Sequence, residues 1–267
     1  MKKQDQRMWN TTAEEIESEL MTMRNEADVP GLQRFFKTGK GEYAEGDKFL
    51  GLRNPQTRMV VKAAKLTVKP DQLLLLTNSP WHEVRLSGFL LMVEETNAAL
   101  PKRSDSPDEL KRKAQMRQSV AELYLSQAHM ANNWDLVDLS CPTIIGEWLA
   151  YPSADGTMPS THILDQLAED PCLWRQRIAM VSTLGLIRHS RTEEALRLAA
   201  KLLGHPHHLM HKAVGWMLRE VGKKDLEALR DFLSDHATQM PRTALRYAIE
   251  RLDETERQMW LKKKFEL

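Results

Sequence analysis

Apolar residues recur along this chain at the three- and four-residue spacing of helices, and no segment shows the sustained alternation of a half-buried strand. Thr11 and Thr12 precede Glu14 and Glu15 by three residues, which is the spacing of a capping box at a helix start. The pattern predicts an all-α protein without a sheet. Further helix starts are predicted at Asn54-Pro55, Ser79-Pro80 and Ser106-Pro107, the last for a helix that runs to about Met130. After Asn54 the predicted core stripe is Met59, Val60, Ala63 and Leu66.

The last third of the chain is repetitive. Pro171, Pro206 and Pro241 each begin a helical pattern, and they are spaced by 35 residues. Helix pairs at a period of roughly 35 to 45 residues are typical of α-solenoids such as HEAT arrays. We therefore expect a right-handed α-solenoid of HEAT-like helical repeats. The seventh and eighth residues after each proline are small or branched and apolar, as on a buried stripe: Ile178-Ala179, Ala213-Val214 and Ala248-Ile249.

We expect the solenoid to span residues 31–252, with a helical N-terminal extension over 1–30 and a charged C-terminal tail over 253–267. Residues 151–158 are rich in Pro, Ser, Gly and Asp, and they form the most favourable internal break. Residues 39–46 are rich in glycine, and such a loop either cradles a phosphate or simply joins two helices. Its glycine spacing matches no phosphate-binding motif, which favours a plain connection.

The composition is that of a globular, helix-forming chain without membrane segments. The longest apolar runs are far shorter than the about 20 residues that cross a bilayer, and the charged N-terminus has no secretory signal. Cys141 and Cys172 lack C-x-x-C spacing, so we interpret both as core residues of a protein in a reducing compartment. We expect a cytoplasmic, nucleoid-associated monomer without a membrane partner.

Charge is distributed unevenly along the chain. The net charge is only +1, which argues against a strongly basic nucleic-acid binder. From Arg175 to Lys224, however, ten Lys and Arg stand against three acids, so this segment carries +7 and the rest sums to −6. A basic stripe in one segment is typical of a surface that follows phosphates. The alternative is a set of solvated helix faces.

Trp134 and Asp138 are four residues apart, so on a helix both project from one face. Arg177 and Lys212 stand at the sixth position after successive repeat prolines, and Trp216 follows Lys212 by four residues. Equivalent positions of a solenoid line one concave face, where cations hold phosphates. A carboxylate beside two indoles in such a groove indicates a reaction that develops positive charge, such as N-glycosidic cleavage.

Each of these residues also has an ordinary structural interpretation. Either tryptophan could anchor the core, Asp138 could pair with a neighbouring cation, and Arg177 could be a solvated cation on a repeat face. His207 and His211 stand four residues apart, which suits zinc, but no third ligand with metal spacing follows. We therefore expect no metal and no cofactor.

Several segments resemble the AlkD-like family of DNA alkylation repair proteins, which are DNA glycosylases built from HEAT-like repeats. The order and approximate spacing of these segments agree from about residue 30 to 252. The Trp-Asp and Lys-Ala-x-Gly-Trp segments are specific only in combination. The matching segments are Phe49-Leu50-Gly51 with Pro55 and Arg58, Trp134 to Asp138, Trp174 to Arg177, and Lys212 to Glu220.

The resemblance implies a monofunctional glycosylase that removes cationic N3- and N7-alkylpurines from double-stranded DNA. By matching motifs, Trp134, Asp138 and Trp216 would surround the deoxyribose of the lesion, and Arg177 would hold a nearby phosphate. The family is known for not requiring the modified base to be flipped into a pocket, unlike most glycosylases. We expect four cations to contact DNA: Arg177, Lys212, Arg219 and Arg246.

The chain departs from the family pattern at one position of the site. Asn133 stands before Trp134, where the best-known members carry a second tryptophan. The alternative function is a non-catalytic HEAT-repeat module that binds DNA or serves as a protein scaffold. A DNA binder would keep a salt-sensitive affinity for DNA without releasing a base, whereas a scaffold would present an apolar groove and bind without regard to salt.

Overall fold

The computed structural model describes residues 10–262, and in that range the regular elements are helices, with two isolated β-bridges and no strand. This confirms the all-α prediction. The chain forms two compact units, the first ending at Ser140 and the second beginning at Cys141.

The first unit consists of α-helices and one short 3-10 turn at Ala128–Met130. In chain order its helices are α1 (Ala13–Thr22), α2 (Val29–Phe36), α3 (Asn54–Ala64), α4 (Pro70–Thr77), α5 (His82–Ala98), α6 (Pro107–Ser126) and α7 (Trp134–Asp138).

Local sequence signals set several of these helix starts. The Thr12 hydroxyl accepts a hydrogen bond from the Glu15 amide at 3.2 Å, and the Glu15 carboxylate accepts one from the Thr12 amide at 2.7 Å. This capping box satisfies two amides that the first turn of α1 leaves without helical partners. Ser106 caps α6 in the same way through its hydroxyl, and proline follows it at the first helical position. The predicted starts of α1, α3 and α6 are confirmed, whereas α5 begins at His82, two residues after the predicted Pro80.

The predicted core stripe of α3 is wrong. Met59 is 57 % exposed and Ala63 is exposed, whereas Val60 is buried as predicted. Leu66 lies beyond the end of the helix. The buried face lies about one residue further along the helix than predicted. Both adjacent faces of α3 are apolar, and packing against α1 and α5 decides which of them is buried. The residues of that face are Thr57, Val60, Val61 and Ala64.

The second unit contains the predicted repeat. Its helices are α8 (Cys141–Ala150), α9 (His162–Ala168), α10 (Leu173–Arg188), α11 (Glu193–Lys201), α12 (His208–Lys224), α13 (Leu226–His236), α14 (Arg242–Ala248) and α15 (Glu254–Lys262). The starts of α10, α12 and α14 after the three prolines are confirmed, and the apolar pairs seven and eight residues beyond each proline are buried. The handedness and HEAT type of the repeat stay predictions.

Glycines allow neighbouring helices of this unit to approach closely. A Cβ atom on Gly185 of α10 would lie 2.5 Å from the Cα atom of Gly146 on α8. A Cβ atom on Gly215 of α12 would lie 2.4 Å from the carbonyl oxygen of Ala244 on α14. Both distances are shorter than any normal contact, so these helix crossings require glycine. This explains the glycine in the Lys212–Glu220 segment.

The boundaries at residues 30 and 252 stay predictions, and parts of both terminal segments lie outside the described residues. Within the described range, α1 packs against α3, α4 and α5 of the first unit. Residues 151–158 form most of the loop that connects α8 to α9 within the second unit. Among the described helices, none combines the length and the apolar character that crossing a membrane requires.

Candidate functional site

Helix α7 carries the predicted Trp134 and Asp138 at its two ends. Both side chains are partly exposed, while Asp135, Leu136 and Val137 between them are buried. The spacing of four residues therefore places the indole and the carboxylate on the accessible side of a helix whose other side faces the core. Their roles in a reaction stay predictions.

Aromatic rings from α2 support the indole of Trp134. The Phe36 ring stacks on it with 5.5 Å between centroids, and the Phe35 ring meets it edge-on at 5.7 Å. Phe36 is buried and stacks in turn on Phe49, whereas Phe35 is 61 % exposed. Trp134 is thus packed on one side and accessible on the other. The sequence reading missed both phenylalanines because it did not predict α2, although a Phe-Phe pair between Arg34 and Lys37 is a visible signal.

A buried group of charged residues lies directly behind this aromatic cluster. The His82 ring on α5 stacks on Phe49 at 4.5 Å between centroids. Its Nδ1 lies 2.8 Å from a carboxylate oxygen of Asp47, and its Nε2 lies 2.9 Å from one of Asp135 on α7. Arg85 donates to the other oxygen of Asp47. We call His82, Asp47, Asp135 and Arg85 the buried tetrad.

The buried tetrad is electrically neutral only when His82 is protonated. Burial on its own would lower the pKa of His82, but the carboxylate of Asp135, followed by that of Asp47, outweighs this effect and raises the pKa to about 9. With both ring nitrogens donating, two cations face two carboxylates in the core. Such a pairing is required because a buried charge without a partner is strongly destabilising.

This raised pKa predicts that the first unit loses stability at alkaline pH. Since the folded pKa of about 9 lies above the ordinary value of 6.5, the His82 contribution is complete below 6.5 and is lost as the pH rises to about 9. Each pKa unit of difference corresponds to about 1.4 kcal/mol, so the loss amounts to a few kcal/mol. The free energy of unfolding in urea, measured at pH values from about 6.5 to 9, should fall for wild type and stay nearly constant for His82→Gln. Parallel pH profiles for the two proteins would contradict the assignment.

The loop that carries Phe49 is held by one buried carboxylate. Glu83 on α5 accepts hydrogen bonds from the amides of Leu50, Gly51 and Leu52 at 2.9, 3.0 and 3.0 Å. Gly51 has a φ of +86°, and a Cβ atom there would lie 1.9 Å from the carbonyl oxygen of Asn25. These contacts explain the Phe49-Leu50-Gly51 segment as the support for the rings behind Trp134.

Asn133, where the chain departs from the family pattern, lies in the core. Asn133 is fully buried, its side-chain oxygen accepts from the Trp134 amide at 2.8 Å, and its side-chain nitrogen lies 3.4 Å from the carbonyl oxygen of Phe36. The residue therefore caps α7 and ties it to α2, and it presents no side-chain surface to a ligand.

In the second unit, the predicted cations differ in how far their charges are already engaged. Arg177 is only 4 % exposed, and one of its Nη atoms donates to the carbonyl oxygen of Leu209 at 2.6 Å. The interpretation of Arg177 as a solvated cation is therefore wrong. Lys212, its counterpart in the next repeat, is partly exposed instead. The phosphate-binding role of Arg177 stays a prediction.

The remaining predicted DNA contacts are on α12 and α14. Lys212 and Trp216 are partly exposed on successive turns of α12. Arg219 is engaged by the carboxylates of Glu220 and Glu250. Arg246 on α14 is exposed, and within residues 10–262 its side chain makes no hydrogen bond or ion pair. Lys212 and Arg246 are therefore the predicted cations most available to a phosphate.

The basic segment of residues 175–224 is partly neutralised by carboxylates. At least six of its ten cations pair with acids of the described residues, most of which lie outside the segment: Arg175 with Asp170, Arg188 with Glu147, Arg197 and Lys201 with Asp165, and Arg219 and Lys223 with Glu220. The predicted charge of +7 therefore overstates the positive field of this surface, because the fold brings acids from outside the segment next to its cations.

The histidines at the start of α12 serve the helix. His207 Nδ1 accepts from the Leu209 amide at 3.2 Å, and His211 Nε2 donates to the His205 carbonyl oxygen at 2.6 Å. Burial, followed by neighbouring positive charge, lowers the pKa of His205 and His207, which favours the neutral rings whose Nδ1 atoms accept from the amides of His207 and Leu209. In the described part of the chain, no group of three or more His, Cys, Asp or Glu residues is arranged to hold a metal ion.

Comparison with known proteins gives a family model and a solved structure that resemble this chain. The family model described as "DNA alkylation repair enzyme" matches residues 16–252. A solved structure described as "Predicted DNA alkylation repair enzyme from Enterococcus faecalis" superposes with a TM-score of 0.58 at 15 % sequence identity, over 86 % of this chain and 97 % of that one. At this identity the likeness shows a shared fold. None of the curated proteins matches the chain.

Proposed function

Because the chain belongs to the family of DNA alkylation repair enzymes, we propose that it is a monofunctional DNA glycosylase. Its substrates would be cationic N3- and N7-alkylpurines in double-stranded DNA, and it would hydrolyse the N-glycosidic bond. The observation that carries the proposal is the arrangement on α7. Asp138 and Trp134 share the accessible side of a helix that is otherwise buried and is backed by a rigid aromatic cluster.

The chemistry requires little more than charge stabilisation beside the sugar. An alkylated purine is already positively charged, so the bond from C1′ to the base breaks with its electron pair moving to the base, which leaves as a neutral molecule. The deoxyribose becomes an oxocarbenium-like cation. The Asp138 carboxylate stabilises that cation and orients a water molecule, and the face of the Trp134 indole adds a cation–π interaction. Water adds to C1′ and releases one proton, which leaves an abasic site.

DNA binding in this proposal depends on few cations. Lys212 and Arg246 supply accessible charge, and Arg177 and Arg219 would contribute only through donors that the fold does not already use. Since each phosphate contact adds about 0.9 to the slope of log affinity against log salt, we expect a shallow salt dependence for a DNA-binding protein.

The test is the release of free methylpurines from methylated duplex DNA, with unmodified duplex as a control. Trp216→Ala should lower the rate of release about fivefold, because a cation–π contact contributes about 1 kcal/mol. Trp148→Ala removes another partly buried tryptophan of the second unit and should leave the rate unchanged. Salt-sensitive DNA binding without release of a base would favour the non-catalytic DNA binder, and salt-insensitive binding to a protein would favour the scaffold.

A further inference from the structure

Helix α7 is too short to hold its own position. It has five residues, and isolated helices shorter than about 12 residues are unstable in water. Its location therefore depends on contacts with the rest of the first unit. Leu136 and Val137 are fully buried, but apolar packing alone specifies orientation weakly because it is not directional.

Asn133 ties the start of α7 to α2, and the directional contact with α5 comes from Asp135, the residue after Trp134. Asp135 is buried, and one of its carboxylate oxygens lies 2.9 Å from Nε2 of His82 on α5. The other oxygen is buried and has no hydrogen-bond partner in the described structure. Asp47, by contrast, is shared between His82 and Arg85. Among the described residues, His82 is thus the one charged partner of Asp135, and losing it would leave a buried carboxylate on α7 uncompensated.

We propose that the His82–Asp135 ion pair is a positioning device that sets the orientation of α7, and with it the places of Trp134 and Asp138. As a statement about catalysis, this rests on the proposed function. The pair connects α5 to Asp135, which lies between Trp134 and Asp138 on α7. If α7 rotated, the indole of Trp134 and the carboxylate of Asp138 would both move. Displacements of about 1 Å at a reacting group can lower a rate by two orders of magnitude.

Amide hydrogen exchange without DNA tests the positioning by itself. The amides of Val137 and Leu139 donate within and just after α7, to Asn133 and Asp135. Asp135→Asn and His82→Gln should each accelerate their exchange about tenfold, while amides in the middle of α5 stay protected. The double variant should exchange no faster than the more affected single variant, because either substitution already removes the His82–Asp135 contact with α7. His82→Gln keeps a donor for one carboxylate and serves alone where Asp135→Asn does not fold.

The matched control is a different buried ion pair of the same unit. Lys113 and Asp105 lie 2.7 Å apart, with side chains 5 % and 4 % exposed. Asp105→Asn therefore removes a buried carboxylate at the start of α6 and should lower stability without changing exchange in α7. Equal acceleration in Asp105→Asn, or strictly additive effects of His82→Gln and Asp135→Asn, would overturn the proposal.

The catalytic consequence is measured under single-turnover conditions on methylated DNA. Asp135→Asn should lower the rate of base release about tenfold with DNA affinity within about twofold of wild type, whereas Asp105→Asn should match wild type in both. A wild-type rate in folded Asp135→Asn would overturn the positioning role. If wild type itself releases no base, the proposed function fails, and the exchange experiment still decides whether the ion pair sets α7.

Discussion

Asp138→Asn is expected to lower the single-turnover rate of methylpurine release at least tenfold, which corresponds to about 1.4 kcal/mol of barrier. The substitution keeps the size of the side chain and removes its negative charge. A neutral amide cannot stabilise the sugar cation as the bond to the base breaks, and it orients water less strongly. Because a carboxylate repels phosphates, DNA affinity should stay the same or increase. Rate and affinity should be measured separately on one methylated duplex.

The control for this variant is an aspartate of the same unit with no role in the proposed site. Asp108 is exposed in the first turn of α6, and Asp108→Asn makes the same chemical change there. We expect its rate of release to equal that of wild type. Equal rates in Asp138→Asn and wild type would refute the catalytic assignment of Asp138, and with it the central step of the proposed function.

Gly51→Ala is expected to destabilise the first unit by more than about 3 kcal/mol. At a φ of +86° any residue with a Cβ atom is strained by about 1 to 2 kcal/mol, and here the Cβ atom would also lie 1.9 Å from the carbonyl oxygen of Asn25. Relieving that overlap means moving the loop that Glu83 holds through three amides. The free energy of unfolding in urea measures the loss.

Gly41→Ala provides the matched comparison. Gly41 has a similar φ of +78°, but a Cβ atom there meets no other atom within 4 Å. It should therefore show only the conformational cost of about 1 to 2 kcal/mol. Similar losses in the two variants would mean that the loop adapts, and that the Phe49–Leu52 contacts support Trp134 less rigidly than we infer.

The helix starts show where sequence reasoning succeeds. Thr12 and Glu15, or Ser106 and Pro107, act within one helical turn, so their effect is the same wherever the helix packs. The helix starts predicted after Pro171, Pro206 and Pro241 are correct for the same reason. The stripe of α3 shows the opposite case. Met59 and Val60 are equally apolar neighbours, and only the surfaces of α1 and α5 decide which of them is buried.

The candidate residues divide along the same line. The four-residue spacing of Trp134 and Asp138 was sufficient to predict that they share a helix side, and the sequence also pointed to Lys212 and Trp216 on α12. Arg177 resembled them in pattern, yet the structure buries it against the Leu209 carbonyl group. Sequence periodicity cannot predict this contact, because Leu209 lies 32 residues from Arg177.

By itself, the sequence determined the all-helical class, the repeat of helices after Pro171, Pro206 and Pro241, and the candidate residues on α7 and α12 that the proposed function uses. These follow from local rules of capping and periodicity, which act over one to three turns. Tertiary structure alone decided which charges remain available and what holds α7 in place. Ion pairs such as His82–Asp135 join residues 53 positions apart, and the energy of a charge depends on the partners and the burial that only the folded chain supplies.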